Sequence, residues 1–125
     1  MISFRVGGLP VPQGSMKVIN GHIIHSQGSA LAAWRSAIAL EAKRAGARPV
    51  EGAVLVYCVF TMPKPKTVKR DLPHVAPDLD KLIRAVLDAL TAIAYLDDGQ
   101  VVEIHSAKIY GTQPGVEIEV TQKIN

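Results

Sequence analysis

Pro77-Asp78-Leu79-Asp80-Lys81-Leu82-Ile83-Arg84 is the stretch that decides the fold, together with Tyr95-Leu96-Asp97-Asp98-Gly99-Gln100 further along the chain. Residues 82–90, between the two acidic segments, have the apolar spacing of an amphipathic helix, so the acidic groups belong to the two ends of one supersecondary unit. Such a unit can bring several carboxylates together beside a helix. Two carboxylates a few ångströms apart repel by about 1 kcal/mol in water and by more in a less polar cleft. The pattern therefore favours a site for a divalent cation.

The composition is that of an ordinary globular domain. The chain has 125 residues, of which 48% are hydrophobic, and we expect one domain spanning residues 1–125. Its longest apolar run, residues 53–60, is too short to cross a bilayer, and residues 1–5 lack the organisation of a signal peptide. We therefore expect a cytoplasmic protein without a membrane contact. Cys58 is the only cysteine, so an intramolecular disulfide is excluded and a buried hydrophobic role is expected.

The order of elements follows from periodicity and from turn residues. The sequence predicts strands at residues 2–6, 53–62, 100–110 and 116–122, a hairpin around Asn20-Gly21, and helices at about 29–45 and 78–94. This order predicts an α/β (α+β) fold in which a mixed sheet of about five strands packs with two main helices.

Details of these elements carry further expectations. Ser29 is a plausible cap of the first helix and Gly46 its stop, while Trp34 is expected to anchor this helix to the sheet. The apolar run within residues 53–62 is typical of a central strand that is covered on both faces.

A basic segment precedes the first acidic pair. The net charge of +3 is only mildly basic, but cations concentrate in one Pro-punctuated stretch against a single Asp71. The candidate DNA-binding residues of this stretch are Lys64, Lys66, Lys69, Arg70 and His74. Such a loop can draw phosphates toward the carboxylates. The alternative is a basic loop that is merely solvated.

The acidic residues also have structural interpretations. Asp78 after a proline is typical of a helix start, and it can share an ion with Asp80 only from an extended segment before the helix. Asp80 and Arg84 are four residues apart and can form an ion pair or a charged catalytic edge. Residues 97–99 suit a simple turn. Asp88 is interpreted as a polar residue on the exposed side of the helix, without a ligand role.

The motif Pro77-Asp78-x-Asp80, the helix of residues 82–90 and the motif Asp97-Asp98-x-Gln100 together resemble the RusA family of Holliday junction resolvases. The segment from Leu9 to Ser15 adds weaker support. The resemblance implies a small homodimeric α/β endonuclease of bacteria and prophages that acts in DNA recombination and repair. Its expected activity is the Mg²⁺-dependent introduction of paired nicks into branched, four-way DNA junctions, with Mn²⁺ as a possible substitute.

The resemblance also implies roles for individual residues. Asp78, Asp80 and Asp98 match essential metal-binding carboxylates of the family, and Asp97 matches a less critical acidic neighbour. The expected catalytic residues are therefore Asp78, Asp80, Asp98 and Arg84.

Two positions depart from the family pattern. Arg84 stands where the family has an important lysine, and Lys81 stands where it usually has asparagine. A guanidinium stays protonated and binds phosphate oxygens, so Arg84 can stabilise negative charge but is a poor general acid. Lys81 is the other candidate to supply a cation, and we also count it among the DNA-binding residues.

Two further interpretations share most of these features. A non-enzymatic protein that binds branched DNA would use the aspartates as caps and turns. A nuclease acting on flaps or forks would share every motif and differ in the shape of its DNA channel. Dimerisation is expected for a resolvase, because two symmetric nicks are most simply made by two active sites related by a twofold axis.

Overall fold

The computed structural model describes residues 1–14, 16–25 and 28–123, so Ser15 of the Leu9–Ser15 motif lies outside the described part. Its strands are β1 (Ile2–Gly7), β2 (Met16–Ile19), β3 (His22–His25), β4 (Val54–Pro63), β5 (Val101–Gly111) and β6 (Gly115–Gln122). Its helices are α1 (Gly28–Arg44) and α2 (Leu79–Leu90), and a short 3-10 turn covers Asp98–Gln100. The predicted element order and the α+β class are confirmed.

The main sheet is mixed and has four strands in the order β1-β6-β4-β5. Strand β4 pairs in parallel with β5, and the other two pairings are antiparallel. The prediction of about five strands deviates slightly, because β2 and β3 pair only with each other in a separate two-stranded sheet. Their turn has φ of 51° at Asn20 and 78° at Gly21, as the predicted hairpin turn requires.

Strand β4 buries one face and leaves the other partly open. Its even-numbered residues from Val54 to Met62 are buried, whereas the alternate residues from Leu55 to Thr61 are only half-buried. The prediction of a strand covered on both faces is therefore wrong, because the core formed with α1 and α2 lies on one side of the sheet only. Trp34 of α1 is 5% exposed and belongs to this core, as expected.

The helix ends differ from the prediction in two places. Ser29 lies inside the first turn of α1 rather than before it. Helix α2 ends at Leu90 rather than near residue 94, because Thr91 is extended and Ala92 adopts a left-handed φ of 66°. Gly46, with φ of 92°, follows α1 as the expected stop.

Cys58 is fully buried in β4, and its Sγ lies 3.4 Å from Ser106 Oγ, which confirms the hydrophobic interpretation. Burial raises the pKa of the Cys58 thiol above its ordinary value. Within the described ranges, no helix is both long enough and apolar enough to span a membrane.

Candidate functional site

The first acidic pair lies at the start of α2. Asp78 has an extended backbone, with φ of −68° and ψ of 139°, and it therefore stands before the helix. A metal site shared with Asp80 would require this position. Both carboxylates are exposed, and Asp80 occupies the first helical turn. Lys81 Nζ lies 3.5 Å from Asp78 Oδ2, an ion pair between residues three apart. Asp80 and Arg84, both described, do not form the other ion pair that the sequence allowed.

Lys108 of strand β5 fixes the backbone that leads into this pair. Its ammonium donates hydrogen bonds of 2.8 Å to the carbonyl oxygens of both Val75 and Pro77. Asp78 is consequently held beside the carboxyl-terminal part of β5. No sequence pattern predicts this role of Lys108, because the two carbonyl groups that it binds lie more than thirty residues earlier in the chain.

The loop after β1 packs on the same helix. The backbone N–H of Gln13 donates a 3.0 Å hydrogen bond to the carbonyl of Lys81, and the Gln13 side-chain amide donates to the carboxylate of Asp88. Asp88 is half-buried, so its interpretation as an exposed residue is wrong. A Cβ at Gly14 would lie 2.8 Å from an Arg84 guanidinium nitrogen, and Gly14 has φ of 109°. Glycine thus lets the loop approach Arg84 closely.

The second acidic pair occupies a tightly bonded turn before β5. Asp97 Oδ1 accepts a 3.1 Å hydrogen bond from the N–H of Gly99. The Gln100 side-chain oxygen accepts from the N–H groups of Leu96 and Asp97, at 2.8 and 2.9 Å. These contacts include a capping box between Asp97 and Gln100. The turn interpretation is therefore correct for this segment, and it leaves both carboxylates exposed.

Gln100 also attaches this turn to the loop before β4. Its side-chain nitrogen donates to the carbonyl groups of Val50 and Gly52, at 2.9 and 2.8 Å. A single side chain therefore uses its oxygen and its nitrogen to hold the second acidic pair at the amino-terminal end of β5. Gln100 was part of the recognised motif, but only the structure gives it this role.

The charge of Asp98 is disfavoured by its neighbours. A hydrogen bond with the Asp97 side chain raises the pKa of Asp98 most, followed by partial desolvation and by repulsion from Asp97 and Asp88. These are the conditions under which a cation would be bound favourably, because it would relieve repulsion among the carboxylates.

The two acidic pairs lie at opposite ends of the α2–β5 unit. Asp78 is held near Lys108, whereas Asp98 precedes Val101, and the seven residue steps between those two strand positions span about 23 Å at roughly 3.3 Å per residue. Among the described residues, no group of three or more His, Cys, Asp or Glu side chains is arranged to hold one metal ion. Within one chain, then, Asp98 is not brought next to Asp78 and Asp80.

The basic segment lies at the same end as Asp78. Lys64 Nζ is 5.8 Å from the centre of the Tyr110 ring, and an Arg70 guanidinium nitrogen donates a 2.9 Å hydrogen bond to the Tyr110 hydroxyl. Lys66, Lys69 and His74 are exposed. A cavity of about 210 Å³ under this segment includes Arg70, Pro77, Lys108 and Tyr110 in its lining. The basic segment, through Lys64 and Arg70, and the first acidic pair thus lie at the same end of β5.

Comparisons with known proteins agree with this arrangement of motifs. The chain is 29% identical over 138 residues to the uncharacterized protein YqaN of Bacillus subtilis (strain 168), with 97% of this chain and 96% of that protein covered. The family model described as endodeoxyribonuclease RusA matches residues 8–121, which include both acidic pairs, helix α2 and the basic segment. This chain belongs to the RusA endodeoxyribonuclease family.

Proposed function

We propose that this endonuclease resolves four-way DNA junctions by paired, symmetric nicks in a reaction that depends on Mg²⁺, as a homodimer in the cytoplasm. The observation that carries the proposal is the family match together with the exposure of Asp78 and Asp80, which closely follow the basic segment in the chain and lie at the same end of β5. Nucleases of this kind need cations near a scissile phosphate and carboxylates that hold a metal ion. In this proposal, residues 1–125 act as one nuclease domain.

The first acidic pair fits a magnesium ion. Mg²⁺ prefers oxygen ligands and is commonly held by one or two carboxylates together with substrate phosphates and water. Asp78 and Asp80 are exposed, one residue apart and displayed at a helix start, which suits that donor set. They would hold the ion, and Mn²⁺ would substitute. Asp98 and Asp97, which lie at the opposite end of the α2–β5 unit of the same chain, would serve as further acidic ligands only if the second copy of the homodimer supplied them. When bound, the metal would activate water and stabilise negative charge on the phosphate.

The cations around this pair divide the remaining tasks. Lys81 Nζ lies 3.5 Å from Asp78 Oδ2, and this ion pair orients the carboxylate. Arg84 is exposed and its guanidinium adjoins Gly14. We therefore assign to Arg84, rather than to Lys81, the role of the family's lysine in opposing the phosphate. Its planar guanidinium is suited to bidentate contacts with phosphate oxygens.

The basic segment would bind the DNA backbone. Lys64, Lys66, Lys69 and His74 are exposed and can reach phosphates, whereas Arg70 is bonded to Tyr110 and would mainly shape the loop. Replacing Lys66 and Lys69 by alanine should weaken junction binding and lower the slope of log affinity against log salt by about 1 for each lysine that binds a phosphate. An unchanged salt slope would contradict the assignment.

Cleavage of a synthetic four-way junction tests the function, with a linear duplex and a flap as parallel substrates. The native chain, Asp80→Asn and Asp71→Asn should be compared in Mg²⁺. Asp71 is an exposed acid of the basic segment, so its substitution changes the net charge equally without touching the acidic pair. We expect paired nicks in the junction with the native chain and with Asp71→Asn, and binding without cleavage with Asp80→Asn.

Each other outcome favours a different function. Junction binding without cleavage by the native chain, in Mg²⁺ and in Mn²⁺, would favour a non-enzymatic protein that binds branched DNA. Preferred cleavage of the flap would favour a nuclease of flaps or forks. Full activity of Asp80→Asn would refute the assignment of the first acidic pair.

A further inference from the structure

The cavity of about 210 Å³ beside the first acidic pair has no role in the function proposed above. Its wall includes Pro77, the residue that immediately precedes Asp78. Most of the wall is apolar and is formed by residues such as Leu9, Met62, Val75 and four prolines. The polar side chains in the wall are those of Arg70, Lys108 and Tyr110. Apolar walls with a few convergent polar groups are typical of ligand sites.

The register of the sheet explains this mixture. Phe60 and Met62 of β4 belong to the buried core, and their partners on β5 are Lys108 and Tyr110. Partners in register lie on the same side of a sheet, so the apolar layer over β4 gives way to amphipathic side chains over β5. The core therefore opens into a cavity at this end of the two strands.

The polar groups of the wall act as hydrogen-bond donors. The Tyr110 hydroxyl accepts a 2.9 Å hydrogen bond from Arg70, which leaves its own O–H to donate. The Lys108 ammonium has three N–H groups, and two of them are used by the carbonyl groups of Val75 and Pro77. No acidic side chain from the described part of the chain lines the cavity. A ligand of this cavity should therefore present acceptor atoms.

A phosphate group does not suit the cavity. Moving a charged group from water into a largely apolar space is costly unless the charge is fully paired and hydrogen-bonded. Lys66 and Lys69 of the same segment are exposed and offer phosphates a contact without that desolvation. The cavity instead suits a neutral, planar group with apolar faces and with acceptor atoms at its edge. A nucleobase that carries a ring carbonyl has these properties.

The size of the cavity and its exposed apolar residues agree with this ligand. A drug-sized ligand needs about 300–1,000 Å³, so a volume of about 210 Å³ suits one nucleobase rather than a base pair. Leu9 and Val75 belong to the wall although they are 59% and 46% exposed, and a stacked ring would cover them. The base must be unpaired, and a base that is poorly paired, as at a branch point, is extruded at the lowest cost.

We propose that the cavity binds one unpaired nucleobase of the DNA substrate, in a nucleotide next to the phosphate that is cleaved. Tyr110 and Lys108 donate hydrogen bonds to the carbonyl oxygen of this base, and Arg70 orients the Tyr110 hydroxyl. Guanine, cytosine and thymine carry such an oxygen, whereas adenine does not and is the disfavoured base. The effect on cleavage rests on the proposed function, whereas capture of the base rests on DNA binding alone.

Photochemical crosslinking tests the capture of the base without cleavage. A four-way junction should carry a single iododeoxyuridine, which keeps both ring carbonyls, at successive positions around the branch point. After irradiation with the native chain in Ca²⁺ in place of Mg²⁺, mass spectrometry identifies the crosslinked residue. We expect one position of the probe to crosslink to Tyr110. Crosslinks confined to other residues, such as Tyr57 on the side of β4 opposite the core, would overturn the proposal.

Base substitution tests the role of Tyr110 on a junction that the native chain cleaves. Each nucleotide next to the nick is replaced in turn by adenine, with thymine as its partner. At one position we expect the native chain to nick the adenine substrate about tenfold more slowly, and Tyr110→Phe to lose most of this difference. Tyr57→Phe is the matched control and should keep the difference, because it removes a hydroxyl from the other face of the sheet.

The outcomes separate the two proposals. No sensitivity to adenine at any position, or a Tyr110→Phe variant that keeps the native difference and the native circular dichroism, would overturn the assigned contacts. Cleavage of the junction with crosslinks that all avoid the cavity would overturn base capture and leave the nuclease function intact. A native chain that crosslinks through Tyr110 but cleaves no DNA would overturn the proposed function and support base capture.

Discussion

Replacing Gln100 by alanine should destabilise the protein far more than an ordinary surface substitution. The side chain makes hydrogen bonds to the N–H groups of Leu96 and Asp97 and to the carbonyl groups of Val50 and Gly52. A neutral hydrogen bond contributes about 1 kcal/mol net, and less where water can replace it. Because most of these bonds are near the surface, we expect Gln100→Ala to cost about 2 kcal/mol of unfolding free energy.

Urea unfolding followed by circular dichroism measures this loss. With a urea dependence of about 2 kcal/mol per molar for a domain of this size, the midpoint should fall by about 1 M. Gln122→Ala is the matched control, because that exposed glutamine donates one hydrogen bond, of 2.6 Å, to the carbonyl of Glu51. The control should lose no more than about 0.5 kcal/mol. Equal losses in the two variants would refute the reasoning.

The variant Gln100→Glu tests which groups donate and which accept in these hydrogen bonds. The introduced carboxyl group keeps an oxygen for the two N–H groups but faces the two carbonyl groups without a donor unless it is protonated. Its folded-state pKa should therefore be raised, so the variant should lose stability relative to the native chain as pH rises through that pKa. The deficit of Gln100→Ala should not change with pH. A Gln100→Glu deficit that grows on acidification would contradict the assigned contacts.

Three other predictions use separate contacts. Gly14→Ala should destabilise the protein about as much as Gly46→Ala, measured by urea unfolding, because both glycines have positive φ and the exposed end of the Arg84 side chain can move away from the added Cβ; a loss more than about 1 kcal/mol larger for Gly14→Ala would show that the guanidinium is fixed against this loop. Lys108→Met should lower the unfolding free energy by about 2 kcal/mol, since two charge-assisted hydrogen bonds are removed. A change below about 0.5 kcal/mol in the same assay would contradict a stabilising role of these two bonds. Cys58 should react with a thiol reagent only on unfolding, even near pH 9, because burial raises its pKa and blocks access; rapid labelling of the native protein would show the strand to be accessible.

Local patterns were sufficient to predict most of the fold. The hairpin at Asn20-Gly21, the order of the strands and the helix before the second acidic pair are all encoded in short-range spacing and turn residues. The early end of α2 is not, because Ala92 has no intrinsic preference for positive φ. Its conformation depends on tertiary contacts, including a 2.7 Å hydrogen bond from its N–H to the carbonyl of Tyr95.

The exposed face of β4 was equally hidden from sequence analysis. Its run from Val54 to Met62 is nearly all apolar, so no polar alternation reveals which side meets the helices. Only the positions of α1 and α2, both on one side of the sheet, determine that difference.

The residue types of the candidate site could be predicted from the sequence, but the contacts that position these residues could not. The aspartates stand in short motifs that can be recognised along the chain. Gln13 and Asp88, by contrast, are 75 residues apart, and Lys108 binds carbonyl groups that have no side-chain signature. The separation of the acidic pairs depends on such long-range contacts.

The position of β6 has a consequence for biosynthesis. Strand β6 lies between β1 and β4, so the earliest strand of the sheet gains its neighbour only when residues 115–122 have been made. A nascent chain lacking them would leave β1 detached and β4 open along one side. The folded enzyme should therefore assemble late in translation, and a ribosome-bound fragment that stops before β6 should remain sensitive to protease.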